Sequence, residues 1–398
     1  MKNRKEGFLA ELYERRGGIK YGIGRVESAF KDIFRRQIPV YHVAGTNGKG
    51  TVVYAITQML RNQGFKTASF ISPHIIDYNE RILYEGRKIT DEELMLTAEE
   101  VKKDTNNFDE LSFFEVTFIL AWRFFENMSV DRVVLEVGLG GRLDATNVIN
   151  WPKTDVITSV GLDHTRILGS TVSEIAAEKA GIIGRGDRVF VGEMPWEAEK
   201  EVLYAAEKRE ALECFTYKDF SENINFKSSD IPETLRKNTA IAEFAVNRSE
   251  GLRSFLNPEE LKLPGRWDFI DRKVVVDVAH NIPAMKALVS SIKSFDMKVV
   301  VLFGVLRDKD AVRMLTVLSE VAESVFVITL DVFADRGCRA EDLVEMAEQS
   351  EVECPVVSGG ASEKTMSKAL NFAKKRDIPL LVTGSFHTVE KFILWYES

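Results

Sequence analysis

The chain has 398 residues and a net charge of −8, with 45% hydrophobic and 29% charged residues, which is too apolar for a disordered protein. Acidic and basic residues are mixed along the chain, and the lack of a Lys/Arg block argues against a nucleic-acid partner. The N-terminus does not resemble a signal peptide, and no run is long and apolar enough to span a membrane. We therefore expect a cytoplasmic protein without membrane association, and its length favours two domains.

Short β-branched runs alternate with longer amphipathic stretches, which predicts an α/β fold with a mainly parallel sheet. In the first part of the chain the predicted strands are Pro39–Val43, Lys66–Ile71, Arg132–Val137 and Asp155–Val160. The predicted helices are Thr51–Asn62, Phe113–Phe125 and Thr171–Ala180. The last of these carries its own start signal, because Thr171 and Glu174 have the spacing of a capping box.

A second series of predicted strands follows, at Lys273–Val278, Lys298–Phe303, Ser324–Leu330 and Pro379–Thr383. Between the two series, the segment Asn257–Arg266 contains two of the ten prolines and has the character of a linker. We predict a domain boundary there. Residues 1–257 then form a domain around a P-loop-type, mainly parallel sheet, and residues 258–398 form a smaller Rossmann-like α/β domain.

A glycine-rich loop lies between the first predicted strand and the first predicted helix. Its residues are Gly45, Thr46, Asn47, Gly48, Lys49, Gly50 and Thr51. Glycines let backbone N–H groups approach phosphate oxygens, the helix N-terminus adds partial positive charge, and the lysine can reach the outer phosphates. The match to the usual phosphate loop is imperfect, because Gly50 separates Lys49 from the hydroxyl of Thr51. A glycine-rich turn with an incidental lysine is the alternative, but the strand and helix on either side favour nucleotide binding.

Polar side chains follow three more predicted strands. They are Ser72, Glu136 and His164. Carboxyl ends of parallel strands share one edge of a sheet, so these groups are expected beside the glycine-rich loop. Hard oxygen ligands next to a nucleotide phosphate suit Mg²⁺, with phosphate and water completing the octahedron. Each residue also has a plainer alternative: Ser72 could shape a turn, Glu136 could pair with Arg142, and His164 could be a hydrogen-bonded loop residue.

Several motifs together resemble the folylpolyglutamate synthase and dihydrofolate synthase family, which belongs to the Mur-type amide ligases. The motifs are Gly45–Thr51, Ser72-Pro73-His74, Glu80-Arg81-Ile82, Glu136–Asn147, Gly161–Gly169, Glu178-Lys179-Ala180-Gly181, Pro264-Gly265-Arg266, Asp277–Asn281 and Thr383-Gly384-Ser385. They span nearly the whole chain in the family's order. Gly50 fits this branch, whose loop reads Lys-Gly-Ser or Lys-Gly-Thr. The loop also begins near residue 45, so we expect no additional N-terminal domain of the kind typical of cell-wall Mur ligases.

The resemblance implies an ATP-dependent ligase that activates the γ-carboxylate of a folate as an acyl phosphate and joins L-glutamate to it. Residues 1–257 would bind ATP, and residues 258–398 would provide the amino-acid side of the cleft. Folylpolyglutamate synthase is the favoured activity. The alternatives are a dihydrofolate synthase, or a bifunctional enzyme, that acts on dihydropteroate. A third hypothesis, from another class of protein, is an ATP-binding switch without ligase activity. A monomer is expected.

The resemblance also implies the metal sites. Ser72 and Glu136 would hold one Mg²⁺ and His164 a second, and a monovalent cation is a further candidate. Lys179 would be carboxylated by CO₂ and become an anionic ligand that supports the metal. Without the family, a solvated Glu178–Lys179 charge pair would be the preferred interpretation of this segment. Carboxylation needs a neutral amine, so the site must lower the pKa of Lys179.

The resemblance implies further site residues, each at a position of this sequence that matches a family motif. Asn238, Arg266 and Asp277 match residues that contact ATP. Candidates for substrate contacts are Phe113, Arg142, Ser385 and the loop 304–310, although a phenylalanine on an apolar helix is more often a core residue. Lys49 and Lys179 are predicted to be catalytic, together with His280 as a participant in proton transfer. A glutamate-binding or adenine-contacting role for His280 is equally open.

Overall fold

The computed structural model describes residues 2–15, 22–221, 231–261, 263–332, 336–350 and 352–398. The chain divides into two compact units. The first takes Met1–Asn225 with Leu235–Pro258, and the second takes Phe226–Thr234 with Glu259–Ser398. Each unit contains a mainly parallel sheet with its own hydrophobic core, which confirms the predicted fold class. No helix in the described ranges is long and apolar enough to cross a membrane.

The first unit is an eight-stranded sheet with associated helices. Its strands are β1 (Val40–Ala44), β2 (Thr67–Phe70), β3 (Ile82–Tyr84), β4 (Arg87–Lys88), β5 (Arg132–Glu136), β6 (Thr154–Ile157), β7 (Arg188–Val191) and β8 (Glu213–Phe215). Its helices are α1 (Lys2–Glu14), α2 (Gly24–Ile33), α3 (Lys49–Asn62), α4 (Asp91–Asp104), α5 (Phe113–Asn127), α6 (Thr165–Leu168), α7 (Val172–Ala180), α8 (Trp196–Lys208), α9 (Tyr217–Ser221) and α10 (Glu233–Glu250), the last of which joins this unit from Leu235 onward.

The strand order of this sheet is β4-β3-β2-β5-β1-β6-β7-β8. Only β3 and β4 run antiparallel to their neighbours. Strand β1 lies at the centre, where Val43 is opposite Glu136 of β5 and Ala44 is opposite Ile157 of β6. Because β2, β5, β1 and β6 are parallel neighbours, the segments that follow all four emerge at the same edge of the sheet, where ligands bind in open α/β folds.

Helix α5 forms much of the core on one side of this sheet. It begins with a capping box between Ser112 and Glu115, and it is buried along nearly its whole length because its sequence is apolar on every face. Phe118 and Trp122 of this helix pack in an aromatic group with Phe30. Tight burial of this helix supports the strands that carry the site.

The second unit is a six-stranded sheet of order β13-β12-β11-β14-β10-β9, in which β9 alone is antiparallel. Its strands are β9 (Asp268–Asp271), β10 (Val274–Val276), β11 (Val299–Phe303), β12 (Ala322–Val327), β13 (Val356–Ser358) and β14 (Leu380–Thr383). Its helices are α11 (Ile282–Ser294), α12 (Ala311–Ser319), α13 (Ala340–Glu348), α14 (Ser362–Arg376) and α15 (Phe386–Tyr396). Strands β10, β14 and β11 are parallel neighbours, so the segments after them also share one edge.

Candidate active site

The glycine-rich loop connects β1 to α3 and is tightly enclosed. Gly45 has a φ of 151°, and a Cβ there would lie 2.0 Å from Oγ1 of Thr158. Gly48 has a φ of 85°, and its Cβ would lie 2.6 Å from Oδ1 of Asn238 on α10. Both positions therefore require glycine, for the backbone conformation and for the close approach. Asn238 lies against the loop, where a residue that contacts a bound phosphate or nucleotide would be placed.

Hydrogen bonds to the segment after β6 hold the loop in shape. The N–H of Thr46 donates to the Ser159 carbonyl at 2.8 Å, and the N–H of Asn47 donates to the Ser159 hydroxyl at 3.1 Å. In return the Thr158 hydroxyl donates to the Asn47 carbonyl at 2.6 Å. Thr158 and Ser159 were not predicted from the sequence as site residues. The predicted strand Asp155–Val160 included both residues, whereas the observed β6 ends at Ile157 and leaves them at the sheet edge.

Two lysines donate to one carbonyl oxygen in this loop. Nζ of Lys49 lies 3.2 Å, and Nζ of Lys179 lies 2.9 Å, from the oxygen of Gly45. Lys179 is at the end of α7 and its relative exposure is only 4%. Burial, with the nearby positive charge of Lys49, lowers the pKa of Lys179 to about 7, against the opposing effect of Asp163 and Asp144. The solvated charge pair considered for Glu178 and Lys179 is therefore wrong.

Glu136 and Ser72 lie together at the carboxyl ends of β5 and β2. The buried carboxylate of Glu136 accepts a hydrogen bond from the N–H of Ser72 at 3.0 Å. A carboxylate beside a serine hydroxyl is a donor set that fits Mg²⁺. Within the described ranges no three His, Cys, Asp or Glu side chains are grouped closely enough to hold a metal alone. Phosphate and water oxygens would therefore complete the coordination sphere.

His164 follows β6 at the beginning of α6. Its backbone is left-handed, with a φ of 49°, and its side chain is 38% exposed. The Nε2 atom lies 3.9 Å from Oδ2 of Asp163. A ring on this sheet edge can meet a ligand, but a metal bound by His164 stays a prediction.

Phe113 begins α5 and is packed on several sides. Its ring stacks on Tyr13 of α1 at 5.6 Å between centroids, and the Arg81 guanidinium lies 5.2 Å from its centroid. Nε of Arg81 also donates to Nδ1 of His74 at 2.7 Å. This is the packing of a core phenylalanine, which was the alternative that the sequence favoured. A contact between Phe113 and a substrate stays a prediction.

Arg142 lies in the loop that follows Glu136. Its Nε and Nη2 atoms donate to Oε1 of Glu178 at 3.0 and 2.7 Å. The backbone N–H of Arg142 also donates to the Glu178 carbonyl at 2.8 Å. These contacts attach the loop to α7 beside Lys179. The Arg142 side chain is half exposed, so it can also meet an anionic substrate.

The second unit brings four predicted residues to the carboxyl ends of β10 and β14. They are Arg266, Asp277, His280 and Ser385. The Phe386 ring lies 5.9 Å from Cζ of Arg266 and 5.7 Å from the His280 ring. Asp277 accepts backbone hydrogen bonds from Trp267 and Ala279, while burial raises its pKa.

Ser385 has a structural role at the start of α15. Its hydroxyl accepts a hydrogen bond from the N–H of Thr388 and thereby caps the helix. The Thr388 hydroxyl in turn donates to the Gly304 carbonyl at 2.6 Å. The cap links the end of β14 to the beginning of the loop 304–310. Roles of these residues toward ATP or an amino acid stay predictions.

Comparison with protein families identifies two domains. Residues 43–251 match the Mur ligase middle domain, and residues 265–386 match the Mur ligase glutamate ligase domain. The dihydrofolate synthase/folylpolyglutamate synthase of Bacillus subtilis (strain 168) is 31% identical over an alignment of 414 positions, gaps included, which covers 94% of each chain.

Solved structures show the same architecture over the whole chain. The structure of Escherichia coli FolC in complex with DHPP and ADP has a TM-score of 0.85 and 28% identity, and the match covers 99% of this chain and 97% of that one. A bifunctional folylpolyglutamate synthase/dihydrofolate synthase with Mn, AMPPNP and L-glutamate bound has a TM-score of 0.83 and 27% identity, with 99% and 98% of the two chains covered.

The two ends of α3 allow a matched test of the loop. Gly48→Ala adds a methyl group that must displace Asn238, and we expect it to weaken nucleotide binding about tenfold or more. Gly64→Ala is the control, because Gly64 has nearly the same φ, 84°, and nothing within 4 Å of the added atom. Both variants should lose about 1 kcal/mol of stability from the left-handed backbone. Calorimetric titration with a non-hydrolysable ATP analogue measures the affinities. Equal affinities for the two variants would contradict the assigned role of the Gly48–Asn238 contact.

Proposed function

The chain belongs to the Mur ligase family, within the group of dihydrofolate and folylpolyglutamate synthases, and we propose that it is an ATP-dependent ligase that joins L-glutamate to the γ-carboxylate of a folate. The observation that carries this proposal is the sheet edge of the first unit. There the phosphate loop follows β1, Glu136 ends the neighbouring strand β5 and accepts a bond from Ser72, and the buried Lys179 donates to the Gly45 carbonyl of the loop. A hydroxyl and a carboxylate for Mg²⁺ are common to nucleotide-binding folds, whereas a second, buried lysine at the loop is an additional group. A ligase that transfers a phosphoryl group to a carboxylate requires charge neutralisation of this kind.

In the reaction, an oxygen of the folate γ-carboxylate attacks the γ-phosphorus of ATP, and ADP leaves. The backbone N–H groups of residues 45–51 surround the phosphates, and the ammonium group of Lys49 neutralises charge on the transferring phosphoryl group. Mg²⁺ held by Ser72 and Glu136 would supply further positive charge when bound. The glutamate amine then attacks the carbonyl carbon of the acyl phosphate and loses a proton, and inorganic phosphate leaves as the amide forms.

Lys179 is proposed to carry a carboxyl group. Its amine attacks CO₂, the N–C bond forms, and one proton is released, so a neutral amine is converted into a carbamate anion. An unperturbed lysine at pH 7 is neutral in only roughly one molecule in three thousand. A pKa of about 7 makes roughly half of the Lys179 amines reactive at this pH. The carbamate would then lie beside Lys49 and support the metal.

Dihydrofolate synthase activity is the second candidate. The relative from Bacillus subtilis carries both activities in its name, and the FolC structure was solved with DHPP. The phosphate loop and the metal-binding groups serve either acceptor equally well. An ATP-binding switch without ligase activity is disfavoured by the family membership. A monomeric state and a cytoplasmic location stay expectations from the sequence.

The acceptor is identified by direct assay. Purified protein is supplied with MgATP and L-glutamate, and with either a tetrahydrofolate or dihydropteroate, and the product is identified by mass. We expect a tetrahydrofolate to gain one glutamyl unit, with release of phosphate that depends on both substrates. Product from dihydropteroate as well would show a bifunctional enzyme. ATP binding without any amide product would overturn the ligase assignment.

Carboxylation of Lys179 is tested without relying on turnover. With ¹³C-labelled bicarbonate, the wild-type protein should show a carbamate signal in its ¹³C NMR spectrum that Lys179→Ala lacks and the exposed-site control Lys200→Ala retains. At constant dissolved CO₂, the signal should decrease below pH 7, because the protonated amine cannot react. Lys49→Met removes a charge that lowers the pKa of Lys179, so it should shift this decrease to higher pH. Full activity of Lys179→Ala in CO₂-depleted buffer would contradict the proposed role.

A further inference from the structure

A chain of buried hydrogen bonds connects the centre of the sheet to the loop after Glu136. His42, in the middle of β1, is fully buried, and its Nε2 atom lies 2.8 Å from the hydroxyl of Thr146. That hydroxyl donates to Oδ1 of Asp144 at 2.6 Å. Oδ2 of Asp144 accepts from the N–H of Leu139 at 2.9 Å. Through the side chains of Thr146 and Asp144, His42 therefore supports the backbone of the loop that follows Glu136, the carboxylate proposed to bind the metal.

The direction of this chain follows from counting hydrogens. Burial raises the pKa of Asp144, whereas the hydrogen bonds that it accepts from Thr146 and from the N–H of Leu139 oppose this rise and favour the carboxylate. With the N–H of Thr146 at 3.0 Å, this carboxylate accepts at both oxygens. The Thr146 hydroxyl has one hydrogen and gives it to Asp144. Toward His42 the same oxygen can only accept. Nε2 of His42 must therefore carry a hydrogen, and in a neutral imidazole Nδ1 is then a bare lone pair.

The other side of His42 faces a second carboxyl group. Nδ1 of His42 lies 3.9 Å from Oδ1 of Asp155 on β6, and both side chains are fully buried. Within the described ranges, neither this nitrogen nor either oxygen of Asp155 has a partner at hydrogen-bond distance, although Nζ of Lys153 lies 3.7 Å from Oδ1 of Asp155. An ionised carboxylate facing a bare lone pair in a buried space would be strongly unfavourable. One proton is required between the two residues, on the imidazole or on the carboxyl group.

The charges around the pair decide where this proton resides. Nζ of Lys153 lies 2.6 Å from Asp187 and 3.7 Å from Asp155, so the one ammonium group is closely paired with Asp187. Burial raises the pKa of Asp155 well above its usual range, and Asp187 adds to this effect while Lys153 opposes it. Burial and the Lys153 charge both lower the pKa of His42. A neutral Asp155 next to a neutral His42 satisfies all these conditions.

We propose that Asp155 is protonated in the folded protein, and that the neutral His42 is a positioning residue whose Nε2–H sets the direction of the chain through Thr146 to Asp144. Asp144 is thereby kept as an acceptor for the backbone of the loop 138–144. The part of this inference that concerns the positioning of an active-site loop rests on the proposed function. The protonation states of Asp155 and His42 do not depend on it.

The protonation states are measured on the full-length wild-type protein by NMR. With ¹⁵N-labelled histidine, the His42 ring, identified by its loss in a His42→Gln variant, should show the neutral tautomer with hydrogen on Nε2. With ¹³C-labelled aspartate, the Asp155 carboxyl carbon, identified by its loss in Asp155→Asn, should have the shift of the protonated acid at pH 7. A positively charged His42 ring, or an ionised Asp155, would overturn the assignment.

Matched variants test the positioning role. The amide of Asp155→Asn is neutral and nearly isosteric with a protonated acid, so its free energy of unfolding and its activity should remain close to wild type. His42→Gln keeps an N–H donor for Thr146, whereas His42→Leu keeps only the bulk. We expect His42→Leu to reduce kcat about tenfold or more, with KM for ATP changed less than about threefold, and His42→Gln to restore most of kcat.

Three results would count against this role. One is an equal loss in the free energy of unfolding for Asp155→Asn and Asp155→Leu, which would mean that the folded protein needs the negative charge of Asp155. The others are an unchanged kcat in His42→Leu and an equal loss in His42→Gln and His42→Leu. If the wild-type protein makes no amide, the proposed function fails, and the NMR measurements still decide the protonation states.

Discussion

The arrangement of the site depends on the carbonyl oxygen of Gly45, to which both Lys49 and Lys179 donate a hydrogen bond. Two ammonium groups held this close in a buried space repel one another and lose hydration, so one of them gives up its proton at a lower pH. Lys179 is the more deeply buried and is the one affected. The fold imposes this pairing, because one lysine begins the helix after β1 and the other ends α7. The Lys179 amine, with its lowered pKa, lies beside the phosphate loop, where a carbamate would stabilise the positive charges that ATP chemistry requires.

Much of this site is predictable from the sequence, because it depends on the ends of regular elements. The four strands predicted in the first unit are present with shifts of at most three residues at their ends, and Thr171 caps α7 through the predicted capping box. Once β2, β5, β1 and β6 are known to be parallel, the placement of Ser72 and Glu136 follows from strand topology. The strands β3, β4, β7, β8, β9 and β13 were not predicted. They are two to four residues long, too short for a clear periodic pattern, and all lie at or next to a sheet edge.

Properties that arise from tertiary packing could not be predicted from the chain alone. Glu178-Lys179 on a short helix has the pattern of a solvated pair, yet the first side chain binds Arg142 and the second is buried against the phosphate loop. His42 similarly has the pattern of a structural histidine in a strand. Only the three-dimensional contacts reveal the bond to Thr146 and the facing carboxyl group of Asp155. In each case the chemistry is determined by a neighbour that is more than thirty residues away.

The choice between dihydropteroate and a folate as acceptor depends on the distance between the bound pterin and the γ-phosphate of ATP. Phosphoryl transfer acts on a carboxylate, and the phosphate loop, Lys49 and the Ser72–Glu136 pair are equally suited to the carboxylate of dihydropteroate and the γ-carboxylate of a folate. The two acceptors differ in that a folate places a glutamyl residue between its pterin and the reacting carboxylate. An enzyme specific for one acceptor must therefore bind the pterin at a matching distance from the γ-phosphate, because reaction requires the atoms to be held near contact. A bifunctional enzyme must either bind the pterin at two positions or allow the glutamyl residue to fold. In the proposed function, specificity accordingly resides in the surface that binds the pterin, whereas the role proposed for the residues around Gly45 is only to activate a carboxylate.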